Sequence, residues 1–369
     1  MNILQLLTSL NDDISVRAIA AYSKILKDNG YNSYVFAPLG RELSYFKRWG
    51  AEIVEQSTSS EDISYSKATI KKISEVVSSK SIVTIHVYDV AGYKAALQVN
   101  KTCSIKIIMS MLSNPSEQTV MSRLNKTIFG EFIPQATTLV PSKTIYQELL
   151  TKYSRKNIGL FYVPVPVDLT IYDEKKISQE RTISLATQWG MLEKPRHIIL
   201  AKAYFNSNKW QNQIIKLSVD LEKLPENIRP YIVILKNNVN KKQLNEFEGK
   251  YLRNRNSVLC LMDHIADLEA SLKLSSIYLE LNPKNQYYSL DILNALAMGN
   301  AVVSWENDVN KELLPKEYHT YLTGNGDIKK VIQTLTNLLQ MNAQERNFTG
   351  RTSRNYAVSY THLTLPTKA

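Results

Sequence analysis

Cysteine, glycine and long apolar runs are all scarce in this chain of 369 residues. Its two cysteines, Cys103 and Cys260, lie far apart and offer neither a disulfide framework nor the ligand spacing of a zinc site. The apolar runs are strand-sized, far short of the ~20 residues that a membrane span needs. The first residues lack the basic start and the small-residue cleavage site of a signal peptide. The sequence therefore predicts a cytoplasmic protein with reduced thiols.

Metal-binding patterns are missing as well. The five histidines show no ligand spacing, and no Asp-x-Asp pair offers itself to a divalent ion. We therefore expect neither a metal nor a bound cofactor. The net charge is +11 and is shared by both halves of the chain. It favours anionic partners such as nucleotides and is compatible with peripheral contact at the inner face of a membrane, whereas no motif indicates nucleic acid.

Short apolar runs alternate with segments of helical period along the whole chain, which predicts parallel sheets covered by helices on both faces. The segment Val163-Pro164-Val165-Pro166 interrupts this alternation and predicts a stiff, extended linker. We therefore predict two Rossmann-like domains, residues 1–163 and 181–357, joined by a linker at 164–180. Such domains would face each other across a ligand cleft.

In the second half, the run at 182–186 predicts the first strand and the segment 196–205 predicts the helix after it. Further strands are predicted at 231–235, 258–261, 277–281 and 301–304, and helices at 241–252, 290–298 and 328–339. Asp327 occupies the N-cap position of the last of these helices. Residues 358–369 differ in character from the preceding helix and resemble translated adapter sequence, so we assign them to a non-native tail.

Four blocks of the chain carry a resemblance to a known family. They are SIVTIHVYDVAGYKAAL (81–97), NIGLFYVPVPVDLTIYD (157–173), SSIYLELNPKNQYYSLDILNALAMGNAVVSWENDVNKELL (275–314) and TGNGDIKKVIQTLTNLL (323–339). In order and spacing they resemble the retaining glycosyltransferases of family 4, which have the GT-B fold. The resemblance implies transfer of a hexose from a nucleotide-diphosphate sugar to a glycan or lipid-linked acceptor, without a metal, in the synthesis of cell envelope polysaccharide. It assigns the donor to the second domain and the acceptor to the first.

The resemblance also assigns residues to the donor diphosphate. Glu193-Lys194 matches the family's Glu-Lys pair, so Lys194 is expected to neutralise phosphate charge. Counting back places the family's arginine on Trp189, and Trp189→Arg is then expected to raise turnover. Ser289 and Leu290 begin the helix whose amino end would face the diphosphate. Asp291, in its first turn, would satisfy the helix dipole and repel that ligand.

The sugar and the base are assigned to amides and aromatic rings. The family's Glu-x7-Glu pair falls on Gln286 and Asn294, two amides that can still bond to hydroxyls of sugar and ribose. Trp189 and Tyr287–Tyr288 could stack on the base or the sugar, or could simply be packing residues. Lys194, Gln286, Ser289 and Asn294 are expected to line one cleft.

His86 is the remaining candidate. It lies at the predicted carboxyl end of a central strand, where α/β proteins bind ligands. The resemblance makes His86 and Gln286 the catalytic residues, with His86 facing the donor site across the cleft. The alternative is a histidine at a strand end with no catalytic role.

A second function class stays open. Because both acidic positions carry amides, the chain could be a non-catalytic GT-B protein, an accessory or partner-binding subunit that lost its donor site. A sugar-phosphate epimerase of the same fold has no support, since no His/Glu cluster for proton abstraction is visible.

Overall fold

The computed structural model describes residues 1–10, 13–40, 42–56, 61–111, 137–153, 159–165, 167–192, 196–236, 241–263, 267–283 and 288–362. The chain forms two compact units, one built from residues 1–166 and one from residues 167–363.

The first unit contains a seven-stranded sheet in which every neighbouring pair is parallel, in the order β3-β2-β1-β4-β5-β6-β7. Its strands are β1 Asn2–Leu6, β2 Asn32–Ala37, β3 Glu52–Gln56, β4 Ile82–Val87, β5 Lys106–Ser110, β6 Thr137–Val140 and β7 Leu160–Tyr162. Its helices are α1 Asp13–Asp28, α2 Leu43–Arg48, α3 Lys67–Ser79, α4 Val90–Asn100 and α5 Lys143–Tyr153. The strand order reverses between β1 and β4, so the carboxyl ends of these two strands form the switch point of the sheet.

The second unit repeats this plan with six parallel strands in the order β10-β9-β8-β11-β12-β13. Its strands are β8 Ile198–Ala201, β9 Tyr231–Lys236, β10 Leu259–Asp263, β11 Ile277–Glu280, β12 Ala301–Trp305 and β13 Leu322–Thr323. Its helices are α6 Gln179–Gln188, α7 Asn208–Glu222, α8 Lys241–Arg253, α9 Leu268–Leu274, α10 Leu290–Ala297, α11 Asp308–Leu313, α12 Ile328–Gln340 and α13 Ala343–His362. Here the switch point lies between β8 and β11. The prediction of two Rossmann-like parallel-sheet units is confirmed.

Each unit has an apolar core of its own. In the first, Val16 and Ile19 of α1 pack with Val35 of β2 and Phe46 of α2. In the second, the faces of α7 and α12 cover the sheet, and aromatic rings fill one end of the core. The rings of Phe205, Trp210 and Phe247 meet at centroid distances between 5.2 and 5.7 Å. Phe205 meets the other two rings edge-to-face, and such contacts stabilise the core beyond the burial of the rings.

Polar side chains fix most of the described helix starts. The N-cap side chain accepts a hydrogen bond from the backbone N–H three residues on, at Ser66, Asp89, Ser178, Ser207, Asp267, Ser289, Asn307 and Asp327. The predicted cap at Asp327 is confirmed.

Two predicted elements at the start of the second unit are wrong. Residues 182–186 belong to helix α6 and not to a strand, because Ser178 caps the helix and Leu185 and Ala186 form its buried side. The segment 196–205 contains strand β8 and not a helix. All four residues of β8 are buried, and they pair in parallel with β9 and β11. A short apolar run without alternation does not by itself distinguish a buried strand from a buried helix.

Helix α13 packs closely against the end of α10. Gly299 follows α10 with a φ of +80°, and a Cβ added there would lie 3.4 Å from the backbone oxygen of Gly350 in α13. The Arg354 guanidinium donates to the Ala297 carbonyl at 2.6 Å and pairs with the Asp173 carboxylate at 3.1 Å. The last turn of α10 is therefore fixed from two sides by α13.

The segments predicted as linker and tail both contribute structure to the second unit. Within the predicted linker, residues 167–180 belong to this unit, and a short 3₁₀ turn covers Glu174–Lys176. Helix α13 continues into the predicted non-native tail, where the Tyr360 side chain is buried. Residues 363–369 lie outside the described part of the chain.

Candidate ligand site at the switch point of the second sheet

Two charged residues stand at the carboxyl ends of the strands that flank the second switch point. Lys202 follows β8 directly, and Glu280 is the last residue of β11. Helix α10 begins beside them at Leu290, with Ser289 as its N-cap. Open α/β sheets bind ligands at this place, and a helix amino end adds backbone N–H donors and a positive dipole end.

Glu280 is buried yet has two hydrogen-bond donors. Its Oε2 accepts from the Ser289 hydroxyl at 2.6 Å, and its Oε1 accepts from the Tyr204 hydroxyl at 2.9 Å. Burial is the main cause that raises the pKa of Glu280, the nearby Asp291 carboxylate adds to it, and the resulting pKa is about 7. Lys202, Ser289 and Tyr204 act in the opposite direction. At neutral pH this carboxyl therefore exists in both protonation states.

Lys202 and Asp291 form an ion pair at the amino end of α10. The Lys202 ammonium donates a short hydrogen bond to Oδ2 of Asp291, which lies in the first turn of the helix. The Lys202 side chain keeps 34% of its exposure, whereas that of Asp291 keeps 11%. The cation thus remains accessible to solvent while its partner is mostly buried.

The neighbouring strand holds Glu280 in place through its main chain. The Ser304 hydroxyl, on β12, donates to the Glu280 carbonyl at 2.8 Å. The Asn310 amide in turn donates to the Ser304 hydroxyl at 3.0 Å and to the Trp305 carbonyl at 2.8 Å. These bonds link β11, β12 and α11 around the site.

Three of the predicted donor residues share the start of α10. Ser289 and Leu290 begin the helix, and Asn294 lies one turn further on. All three are buried, with Asn294 at 7% exposure. The prediction that these residues line a cleft together with Lys194 and Gln286 remains open, because residues 193–195 and 284–287 lie outside the described residues.

Two of the three aromatic candidates are buried packing residues in this structure. Tyr288 is 1% exposed, and its hydroxyl lies 3.3 Å from that of Tyr360 in α13. Trp189 ends α6 and is 6% exposed. Its Nε1 makes no hydrogen bond within the described part of the chain. Tyr287 lies outside the described residues, and stacking of a base or sugar on any of these rings stays a prediction.

His86 lies on β4, the central strand of the first sheet, inside a buried polar network. Its Nε2 is 2.7 Å from the Ser110 hydroxyl, and its Nδ1 is 3.1 Å from the Tyr88 hydroxyl. The Tyr88 hydroxyl donates to Oε1 of Gln5 at 2.7 Å. Since the Tyr88 hydroxyl proton is donated to Gln5, we assign the single N–H proton of the His86 ring to Nδ1, which donates to the Tyr88 oxygen. Nε2 then accepts from the Ser110 hydroxyl.

Burial fixes the charge state of this histidine. It lowers the pKa of His86 to about 3, and the Tyr22 ring meets the imidazole edge-on at a centroid distance of 5.6 Å. At neutral pH the His86 ring is therefore uncharged, and both of its nitrogens are engaged. The relation of His86 to α10, which belongs to the other unit, stays a prediction.

Sequence reasoning missed Lys202, Tyr204 and Glu280. The misassigned helix at 196–205 concealed Lys202 and Tyr204, because no strand end was recognised there. Glu280 lies inside the predicted strand 277–281, so its position at the end of β11 was not recognised. The available signal was a charged side chain at the end of an entirely apolar run, as in Ile198–Ala201 followed by Lys202.

The fold is that of the GT-B glycosyltransferases. A glycosyltransferase from Rickettsia africae superposes with a TM-score of 0.76 at 13% identity, covering 98% of this chain and 94% of that one. HepE from Anabaena, solved with UDP-glucose, gives 0.76 at 12% identity, covering 98% of both chains. Sucrose-phosphate synthase from Thermosynechococcus elongatus gives 0.70 at 12%, covering 99% and 95%.

No protein-family model matches the chain, and no curated protein matches it. At 12–13% identity the solved structures establish the fold and do not establish the activity.

Within the described residues, no helix is long and apolar enough to cross a bilayer. Among the same residues, no three His, Cys, Asp or Glu side chains converge as metal ligands do.

Proposed function

We propose that the second unit binds a nucleotide-diphosphate sugar at the amino end of α10 and that the protein transfers the sugar, a hexose, to a glycan or lipid-linked acceptor with retention. One observation carries this proposal. Lys202, Glu280 and Ser289 converge at the switch point of the sheet, beside the start of a helix. HepE, a protein of the same fold that superposes on 98% of this chain, has been solved with UDP-glucose.

Each group has a chemical part in the proposed reaction. Lys202 and the first N–H groups of α10 would stabilise the charge that develops on the leaving diphosphate, where electrostatic stabilisation contributes most to rate. These groups supply positive charge without a metal, so we propose metal-independent transfer, insensitive to chelators. Asn294 and Gln286 would contact sugar and ribose hydroxyls, and Lys194 would add a second cation. The acceptor would bind the first unit.

Binding of UDP-glucose to Lys202 variants tests the proposal. Lys202→Met should weaken binding about 10- to 100-fold, since hydrogen bonds to charged groups contribute ~1.5–3 kcal/mol. Lys202→Arg, which keeps the charge, should retain most of the affinity. The matched control is Lys216→Ala, an exposed lysine of α7 away from the switch point. Calorimetry with and without EDTA measures the dissociation constant of UDP-glucose for the wild type and the three variants.

Transfer itself is measured as release of UDP from UDP-glucose. The rate should rise when glycan or lipid-linked acceptors are added. If basic charge brings the protein to a membrane surface, anionic vesicles that carry the acceptor should raise it further. A Lys202→Met protein that binds and turns over like the wild type would contradict the proposed site.

The competing proposal is a non-catalytic GT-B protein, and one observation favours it. Asp291 already neutralises Lys202 and places a carboxylate where a diphosphate would lie. Asp291→Asn separates the two proposals, because it removes the competing charge and keeps the shape of the side chain. An enzyme should bind UDP-glucose more tightly after this change. A protein that binds no nucleotide sugar in either form is an accessory subunit.

A further inference from the structure

The charges at the switch point of the second sheet do not balance. One cation, Lys202, faces two carboxyl groups, Glu280 and Asp291. Both Glu280 and Asp291 are buried, so water screens their mutual repulsion poorly. The diphosphate of a nucleotide sugar would bring two further negative charges to the two carboxyl groups that Lys202 already faces. Like charges in a shared, poorly solvated site cannot all ionise, and one of them takes up a proton.

Glu280 is the group that can accept this proton without rearrangement. From α10, Asp291 and Ser289 face it. From the segment after β8, Lys202 and Tyr204 face it. The Ser304 hydroxyl of β12 donates to the main-chain carbonyl of Glu280 and not to its carboxyl group. Within the described residues, Lys202 and Asp291 are therefore the charged groups that act on it.

The two hydroxyls around Glu280 suit either protonation state. Both donate to the carboxylate when it is ionised, at 2.6 Å from Ser289 and 2.9 Å from Tyr204. A hydroxyl oxygen also accepts, so one of the two can rotate and receive the O–H of a protonated carboxyl group. The proton can therefore arrive and leave while every heavy atom stays in place.

We propose that binding of the diphosphate of a nucleotide sugar at the amino end of α10 is coupled to uptake of one proton by the Glu280–Asp291 carboxyl pair. This inference rests on the proposed function. The diphosphate competes with Asp291 for Lys202, and protonation of the pair removes the negative charge that the ligand would otherwise meet. The proton comes from the solvent, and it is assigned to the pair because two interacting carboxyls titrate together.

The coupling fixes the sign of the pH dependence. Ligand binding raises the affinity of the pair for a proton, so affinity for the ligand must fall as the pH rises. The fall begins near the value of about 7 at which Glu280 titrates in the free site. Above it, affinity should fall by up to about tenfold per pH unit until the bound form also loses its proton.

Calorimetry measures the proton count directly. UDP-glucose is the probe, since its diphosphate is esterified at both ends and has no ionisation near neutral pH. Titrations just above pH 7 in two buffers of different ionisation enthalpy give the number of protons from the difference in observed heat. The expected value for the wild type lies between about 0.5 and 1 proton taken up per ligand bound.

Variants assign the proton to the pair. Glu280→Gln should reduce the uptake to near zero and remove the pH dependence of affinity between about pH 6 and about pH 8.5. Asp291→Asn should tighten binding and lower the uptake, because Lys202 is released and Glu280 ionises more readily. The matched control is Glu226→Gln, an exposed carboxyl before β9, at the opposite edge of the same sheet. It should leave both quantities unchanged.

The outcomes are distinguishable. Binding without proton uptake in the wild type would overturn this inference and leave the proposed function standing. Uptake that persists undiminished in both Glu280→Gln and Asp291→Asn would overturn the assignment to the pair. No binding of UDP-glucose at any pH, by the wild type or by Asp291→Asn, would overturn the proposed function and this inference with it.

Discussion

Single residues decide what the carboxyl edge of the second sheet can do, and Trp189 shows how strongly burial limits them. The family resemblance places an arginine at this position, so Trp189→Arg was expected to supply a missing cation. In the structure Trp189 is 6% exposed at the end of α6. A guanidinium there would be taken out of water, which is costly unless a partner is close by.

We therefore expect Trp189→Arg to destabilise the second unit by roughly 3 kcal/mol or more and not to raise turnover. Trp189→Phe is the matched control. It keeps an aromatic ring and removes an Nε1 that has no hydrogen-bond partner in the described part of the chain, so it should cost less than about 1.5 kcal/mol. Urea denaturation measures both changes. A stable Trp189→Arg protein with higher turnover would restore the original assignment.

The residues of the site were only partly predictable, for a physical reason. Ser289 and Asn294 were found because helix starts and helix periods leave local signals in sequence. Glu280 and Lys202 become partners only through the pairing of β8 with β11, which brings together residues almost eighty positions apart. Local pattern carries no information about such a pairing. Burial of Tyr288 against Tyr360 is equally a property of the folded unit.

Secondary-structure elements were easier to predict than contacts, and the errors concern the start of the second unit. Strand β9, Tyr231–Lys236, begins at the predicted residue, and α12 begins at its predicted cap. The errors at α6 and β8 arose because residues 182–186 and 198–201 are both short apolar runs. Their states are set by the Ser178 cap in one case and by pairing with β9 and β11 in the other.

Packing between α10 and α13 gives a prediction at this scale. Gly299 has a φ of +80°, which costs an L-residue about 1–2 kcal/mol, and a Cβ there would also touch Gly350. Gly299→Ala should therefore destabilise the second unit by at least that amount. Gly249→Ala, in the middle of α8 with open space around it, should stabilise by up to about 1 kcal/mol through helix propensity. Thermal unfolding of the two variants beside the wild type measures the difference, and equal effects would refute the close contact.

At the scale of the whole molecule, the two units carry buried groups that respond to pH in opposite directions. His86 in the first unit has its pKa lowered from 6.5 to about 3 by burial, so its folded form resists protonation. Stability of the first unit is therefore lost as the pH falls below 6.5. Glu280 in the second unit has its pKa raised from 4.5 to about 7, so stability of that unit rises as the pH falls from 7 towards 4.5.

Calorimetric unfolding at about pH 7.5 and about pH 5 should resolve this difference. We expect Glu280→Gln to raise the stability of the second unit at the higher pH and to have little effect at the lower one. The change is at most about 1.4 kcal/mol per pH unit between the two pKa values. His86→Gln should instead reduce the acid sensitivity of the first unit. Variants that shift both units alike, at both pH values, would show that the two groups do not act separately.

The grip of α13 on α10 has a mechanical consequence. Helix α10 is eight residues long, a rod of about 12 Å, with the Lys202–Asp291 pair at one end and Gly299 pressed against Gly350 at the other. A small tilt of α13 would therefore tilt α10 as well and move the first turn of α10 relative to Lys202. We expect an antibody fragment that binds around the exposed Phe348 of α13 to change the affinity for UDP-glucose, which calorimetry measures. Through α13 we therefore expect the affinity of the switch point for UDP-glucose to change without replacement of any residue there.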